Sequence, residues 1–104
     1  MRTFEISLSP QAQSDLERIY DWIAVQSSHQ AAAGFIRRIE ARYRSLSHFS
    51  ERGTQHDELY PGLRIFGLDG RVTIAFSVEG SRVAIYRILY GGRDLSSALD
   101  EVLS

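Results

Sequence analysis

Phe4, Ile6 and Leu8 alternate with Glu5 and Ser7, the period-two pattern of a short strand. Ser9-Pro10 then reads as a helix start, with Ser9 as N-cap and Pro10 at the first helical position, where a missing N–H costs nothing. Asp15 and Glu17 come early enough to be favoured by the positive end of the helix dipole. Ala12, Leu16, Ile19, Tyr20 and Ile23 form one apolar stripe, which predicts a helix to about Gln26. After the polar break Ser27-Ser28, a second stripe at Ala32, Phe35, Ile36, Ile39, Tyr43 and Leu46 predicts a helix from about His29 to His48. Its outer face carries Arg37, Arg38, Glu40, Arg42 and Arg44, with Glu40 and Arg44 at the i, i+4 spacing of an ion pair. So short a connection makes the two helices an antiparallel hairpin. Gly34, inside the second helix, is expected to let the two backbones approach closely.

Phe49 to Pro61 reads as a loop, and from Gly62 onward the period changes to two. Leu63 to Phe66 leads into Asp69-Gly70, a hairpin-turn signal because both residue types tolerate positive φ. Val72, Ile74, Phe76 and Val78 alternate with Thr73, Ala75 and Ser77, Glu79-Gly80 marks a second turn, and Val83 to Leu89 forms a last strand. Leu95, Ala98, Leu99 and Val102 are spaced for a short C-terminal helix. The expected fold is a single α+β domain over residues 1–104. An N-terminal strand and an antiparallel helical hairpin pack on a mainly antiparallel four-strand sheet, closed by the short helix.

Composition adds one peculiarity to an ordinary globular picture. All twelve basic residues are arginine, and with thirteen acidic residues the formal net charge is −1. Arginine offers a planar fork of donors suited to carboxylate and phosphate, where lysine offers a point charge. A near-neutral total argues against broad adhesion to nucleic acid but leaves room for a local basic patch. There are no cysteines, so disulfides and thiolate zinc sites are excluded. The start of the chain lacks a signal-peptide core and no stretch approaches a membrane span, so a soluble, cytoplasmic protein is expected.

Ser9-Pro10 with Ala12, Asp15-Leu16 and Ile19, the helical hairpin, Gly62-Leu63-Arg64, the Val72 to Val78 strand and Arg87-Ile88-Leu89-Tyr90-Gly91-Gly92-Arg93-Asp94-Leu95 together resemble the ParE toxins of the ParE/RelE toxin–antitoxin superfamily. The likeness covers nearly the whole chain in order. Its most specific part is the last segment, usually R-V-L-H-G-A-R-D-L, from which this sequence departs at Ile88, Tyr90 and Gly92. The resemblance implies a toxin that inhibits DNA gyrase by binding and is neutralised by a small cognate antitoxin. Because a sheet with open edges and a small C-terminal helix leaves apolar surface uncovered, an antitoxin segment is expected to wrap the domain, as a helix in a groove or as an added edge strand. The RelE-like branch implies an alternative, a ribosome-dependent mRNA endoribonuclease; an inactive module that only binds its antitoxin is a third reading.

For the nuclease, Arg64, Arg71 and Arg87 on or beside neighbouring strands would clamp a phosphate, with Tyr90 near the end of the last strand handling a proton. An ordinary tyrosine is a poor base at neutral pH. His48 and His56 are the other candidates, neither with a partner visible in the sequence. The histidines and carboxylates form no zinc or calcium pattern and no phosphate loop is present, so no metal and no cofactor is expected. For binding, the candidates are Arg93, Arg87, Arg64 and Trp22, with no sequence-specific nucleic-acid contact expected. Gly91 or Gly92 would supply a backbone bend, Asp94 would cap the last helix, and Arg93 at that corner would face a partner. Two readings stay open for Arg87, a contact or a structural ion pair, and two for Trp22, a core margin or an exposed anchor.

Overall fold

The computed structural model describes residues 3–48, 50, 52–91 and 97–100. Strand β1 spans Glu5–Leu8, helix α1 Pro10–Gln26 and helix α2 His29–Arg44. The strands β2 (Thr54–Gln55), β3 (Arg64–Leu68), β4 (Val72–Glu79) and β5 (Arg82–Tyr90) follow. Residues 97–100 are helical. The five strands form one sheet in the order β1-β5-β4-β3-β2, with β1 parallel to β5 and every other neighbour antiparallel. The fifth strand corrects the four-strand expectation. β2 has only two residues, too few to show a period within the loop expected there.

Local chemistry sets the helix starts. Ser9 holds an extended backbone and its Oγ accepts the amide of Ala12, while Ser28 does the same for Ala31. α2 stops at Arg44, short of His48, and the chain tightens into a 3-10 turn over Ser45–Ser47. There the Ser45 hydroxyl donates back to the carbonyl of Arg42 at 2.6 Å, a local bond that competes with helix continuation. The pairing expected between Glu40 and Arg44 is absent from the ion pairs of the described residues; Arg44 lies over the ring of Tyr43 instead. Gly34 is no close-approach point either, since the nearest atom to an added Cβ is the Arg37 guanidinium at 3.9 Å.

The turn chemistry is as expected at Asp69-Gly70, where both residues have positive φ (54° and 68°), the pair that joins β3 to β4 with a matching twist. Gly53 is more constrained. Its φ is +82° and a Cβ would stand 2.2 Å from the carbonyl oxygen of Ile65, so only glycine lets β2 lie against β3.

The hairpin covers one face of the sheet. Ala12 and Ile19 of α1 and Phe35, Ile39 and Tyr43 of α2 meet Phe66, Ile74, Phe76, Val83, Ile85 and Ile88 in one core. Each such fully buried large side chain contributes about 1.5–3 kcal/mol. The opposite face carries a smaller cluster of Leu63, Ala75 and Leu99, with Tyr86 against it, so the C-terminal helical segment packs there. β5 changes parity midway. Ala75 pairs with Arg87 but Phe76 pairs with Ile85, leaving Tyr86 as an extra, bulged residue. Val83 and Ile85 therefore point to the helices before the bulge, and Ile88 and Tyr90 after it.

Candidate functional site

β1 ends at Leu8, opposite Ile85, so the second half of β5 has no strand on that side. The start of α1 closes this edge. The Ser9 amide donates to the carbonyl of Ile85, and the Ser9 hydroxyl donates to that of Tyr86 at 2.7 Å. One turn later the Asp15 carboxylate accepts the Ile88 amide at 3.0 Å, replacing the missing strand partner.

Asp15 also receives Arg87 through two parallel bonds, Nε to Oδ2 at 2.8 Å and Nη2 to Oδ1 at 2.7 Å. Nη1 of Arg87 donates to the carbonyl of Ala98 at 2.8 Å. Both side chains are buried, at 1% and 2% exposure. Asp15 is thus no exposed dipole partner: it is the buried anchor of a tie joining α1, β5 and the C-terminal helical segment. Of the two readings open for Arg87, the structure contains the ion pair, and burial removes the guanidinium from any surface contact. The signal for Asp15 was present in the sequence. It sits three residues after Ala12 and four before Ile19, inside the apolar stripe where a carboxylate needs a partner.

Next to this tie, α1 and the end of β5 enclose an open, mainly apolar pocket of about 390 Å³. Arg18, Ile19 and Trp22 line it from the helix, and Ile88, Tyr90 and Gly91 from the strand. Trp22 is exposed, 53% accessible, rather than buried at the core margin. Its ring lies 5.2 Å from that of Tyr90, which meets Phe35 edge-on at 5.8 Å. The aromatic wall is therefore braced against the core on one side and wet on the other, a form suited to receiving an apolar side chain. Gly91 supplies the expected bend with φ +74°, and its amide donates to the carbonyl of Arg71 at 2.8 Å. Gly92, Arg93 and Asp94 lie outside the described residues, so the pocket stands directly before them in the chain.

Residues 6–95 match the family of ParE toxins of type II toxin–antitoxin (parDE) systems. The chain belongs to the ParE toxin family. Toxin ParE3 of Caulobacter vibrioides is 31% identical over 85 residues, covering 82% of this chain and 84% of that protein. In fold, the chain resembles a solved chromosomal ParDE toxin–antitoxin system from P. aeruginosa. The TM-score is 0.75 and the identity 23%, over 86% of this chain and 97% of that one.

In this ParE-type toxin the residues named for a nuclease are dispersed. Arg87 is held by Asp15, and Tyr90 packs between Trp22 and Phe35. Arg64 pairs across from Phe76, whereas Arg71 precedes Val72, at the other end of the hairpin. Four strand residues separate those levels, roughly 13 Å. Arg64 is half-buried, with Nη1 toward the carbonyl of Arg52. His56 does have partners. Its Nδ1 lies 2.8 Å from Glu58 Oε1 and its Nε2 3.0 Å from Thr54 Oγ1, the three side chains alternating along the chain. An amide hydrogen bond within Glu58 and then the imidazole of His56 hold the Glu58 carboxyl below its ordinary range. His48 is exposed at the end of the 3-10 turn. Among the described residues no helix is long and apolar enough to cross a membrane.

Proposed function

We propose that this toxin inhibits DNA gyrase by binding and is neutralised by a cognate antitoxin that covers the same surface. The observation that carries this reading is the half-exposed Trp22 beside the apolar pocket at the end of β5. A large aromatic side chain left in water, with its back packed on the fold, is the usual form of a binding anchor. Membership of the ParE family supports both partners, and Arg93, following the pocket, extends the contact. The test is a supercoiling assay with purified gyrase, toxin and the antitoxin encoded beside it. Supercoiling is expected to stop with toxin and to resume with antitoxin, while translated mRNA stays intact.

A second reading, a ribosome-dependent endoribonuclease, is favoured by the Thr54–His56–Glu58 arrangement, in which an imidazole sits between a hydroxyl and a carboxylate. Codon-specific cuts in a reconstituted translation reaction, lost in His56→Ala and accompanied by unaffected gyrase, would replace the first reading with this one.

A further inference from the structure

The charges of this chain are sorted by surface although their sum is close to zero. α2 carries four arginines (Arg37, Arg38, Arg42 and Arg44) against a single carboxylate, Glu40, a net of +3. The exposed face of α1 carries Glu17 and Asp21 against Arg18, a net of −1. The positive face continues from α2 onto the β2–β3 side of the sheet. Arg42 donates to the carbonyl of Gly67 at 3.2 Å and lies 4.6 Å from the centre of the Phe66 ring, and Arg52 lies 5.9 Å from the same ring. Ring and carbonyl hold these guanidinium groups in place, which lowers the entropy lost when they meet an anion. Arg38 pairs with Asp69, which offsets part of the charge at one border. Arg37, Arg38, Arg42, Arg44 and Arg52 are all exposed.

We propose that this arginine face binds the phosphate backbone of duplex DNA without regard to sequence. Three observations choose this partner. Arg37 and Arg44 are seven helical residues apart and on one side of α2, about 10 Å along the axis, a length over which one DNA strand advances about three steps of 3.4 Å along its own axis. The aromatic rings under the face, Phe66 and Tyr43, are 6% and 5% exposed, so among the described residues the face offers no platform on which the bases of a single strand would stack. The apolar pocket that a protein segment would use is lined by α1 and β5, not by this face. The choice of DNA among duplexes rests on the gyrase reading, because a toxin seated on gyrase works beside DNA; the arginine face would then lie against the duplex that the enzyme holds.

The test is fluorescence anisotropy of a labelled duplex with the full chain, titrated at several salt concentrations and without gyrase. Binding in the range of about 10⁻⁶ to 10⁻⁴ M is expected, with an affinity that falls as salt rises. Replacing Arg37→Gln and Arg44→Gln together should lower the slope of log affinity against log salt by about 1.8, roughly 0.9 for each lost phosphate contact. Arg82→Gln, on the β4–β5 hairpin, should leave the slope unchanged. An unaltered slope in the double variant, a loss equal to that of Arg82→Gln, absence of salt-dependent binding, or tighter binding to a single strand of the same length would each overturn the proposal. Gyrase inhibition measured in parallel separates the two ideas. Inhibition without DNA binding removes this proposal alone, and DNA binding without inhibition removes only the gyrase reading.

Discussion

Replacing Asp15 with alanine removes three acceptor contacts at once, the fork from Arg87 and the amide of Ile88, and leaves a guanidinium buried at 1% exposure. Breaking a buried ion pair from one side costs about 3–5 kcal/mol, because the remaining charge is uncompensated. An orphaned buried amide adds about 1–3 kcal/mol. Domains have about 5–15 kcal/mol of total stability, so Asp15→Ala should bring the toxin to the edge of unfolding. Arg87→Ala should cost a similar amount, through the buried carboxylate deprived of its guanidinium and the lost bond to Ala98. The double variant Asp15→Leu/Arg87→Met behaves differently, since both charges leave together and apolar atoms fill much of the space. What remains is an unpartnered Ile88 amide and Ala98 carbonyl, and a loss of about 1–4 kcal/mol is expected. Urea unfolding followed by circular dichroism of the parent, Asp15→Leu, Arg87→Met and the double variant closes the cycle and gives the coupling energy. Singles within about 1 kcal/mol of the parent, or losses additive to about 0.5 kcal/mol, would refute the reasoning.

Gly34→Ala should stabilise the toxin by about 0.5–1 kcal/mol, because a helical glycine with open space beside it contributes only chain entropy to the unfolded state. Gly53→Ala should destabilise it by more than about 1–2 kcal/mol, since positive φ is combined there with a collision against Ile65; thermal melting checks both. Trp22→Ala should change stability little and weaken gyrase inhibition and antitoxin binding, read by the supercoiling assay and by titration calorimetry. Burial, aided by the hydrogen bond to Glu79, raises the Tyr86 phenol above its ordinary value despite an opposing bond to Ser77. A raised folded-state pKa gives stability that is full below the unfolded tyrosine's pKa and is lost as pH rises through the folded one. Alkaline unfolding should therefore begin at higher pH in Tyr86→Phe.

What could be read from the chain was what neighbours decide. Ser9-Pro10, Ser28 and Asp69-Gly70 act through hydrogen bonds and dihedrals within a few residues, so their consequences stand in the sequence itself. Where the partner is distant, local reasoning misled. Asp15 was assigned to the helix dipole because its partner Arg87 is 72 residues away. Strict alternation would put Arg87 on one face with Ile85 and Leu89, and the bulge at Tyr86 breaks that alternation. β2 escaped notice because two residues carry no period. Three residues that line the pocket were singled out along the chain for separate reasons, Trp22 as core margin or anchor, Tyr90 for proton transfer and Gly91 for a bend. The pocket they form depends on how α1 crosses the end of β5, which tertiary packing alone decides.

The tie between Asp15, Arg87 and Ala98 also bears on when the toxin comes into being during synthesis. The helical hairpin is complete early in translation, yet the edge formed by β1 and the start of α1 stays without its neighbour until β5 is made, and Arg87 lacks the Ala98 carbonyl until residue 98 is available. Contacts that join the two ends of a chain form late and slow its folding. At about 5–20 residues added per second, the ribosome gives several seconds in which the hairpin exists without its sheet. The nascent toxin would thus expose an apolar helical face before it acquires a finished pocket, which needs β5 in place.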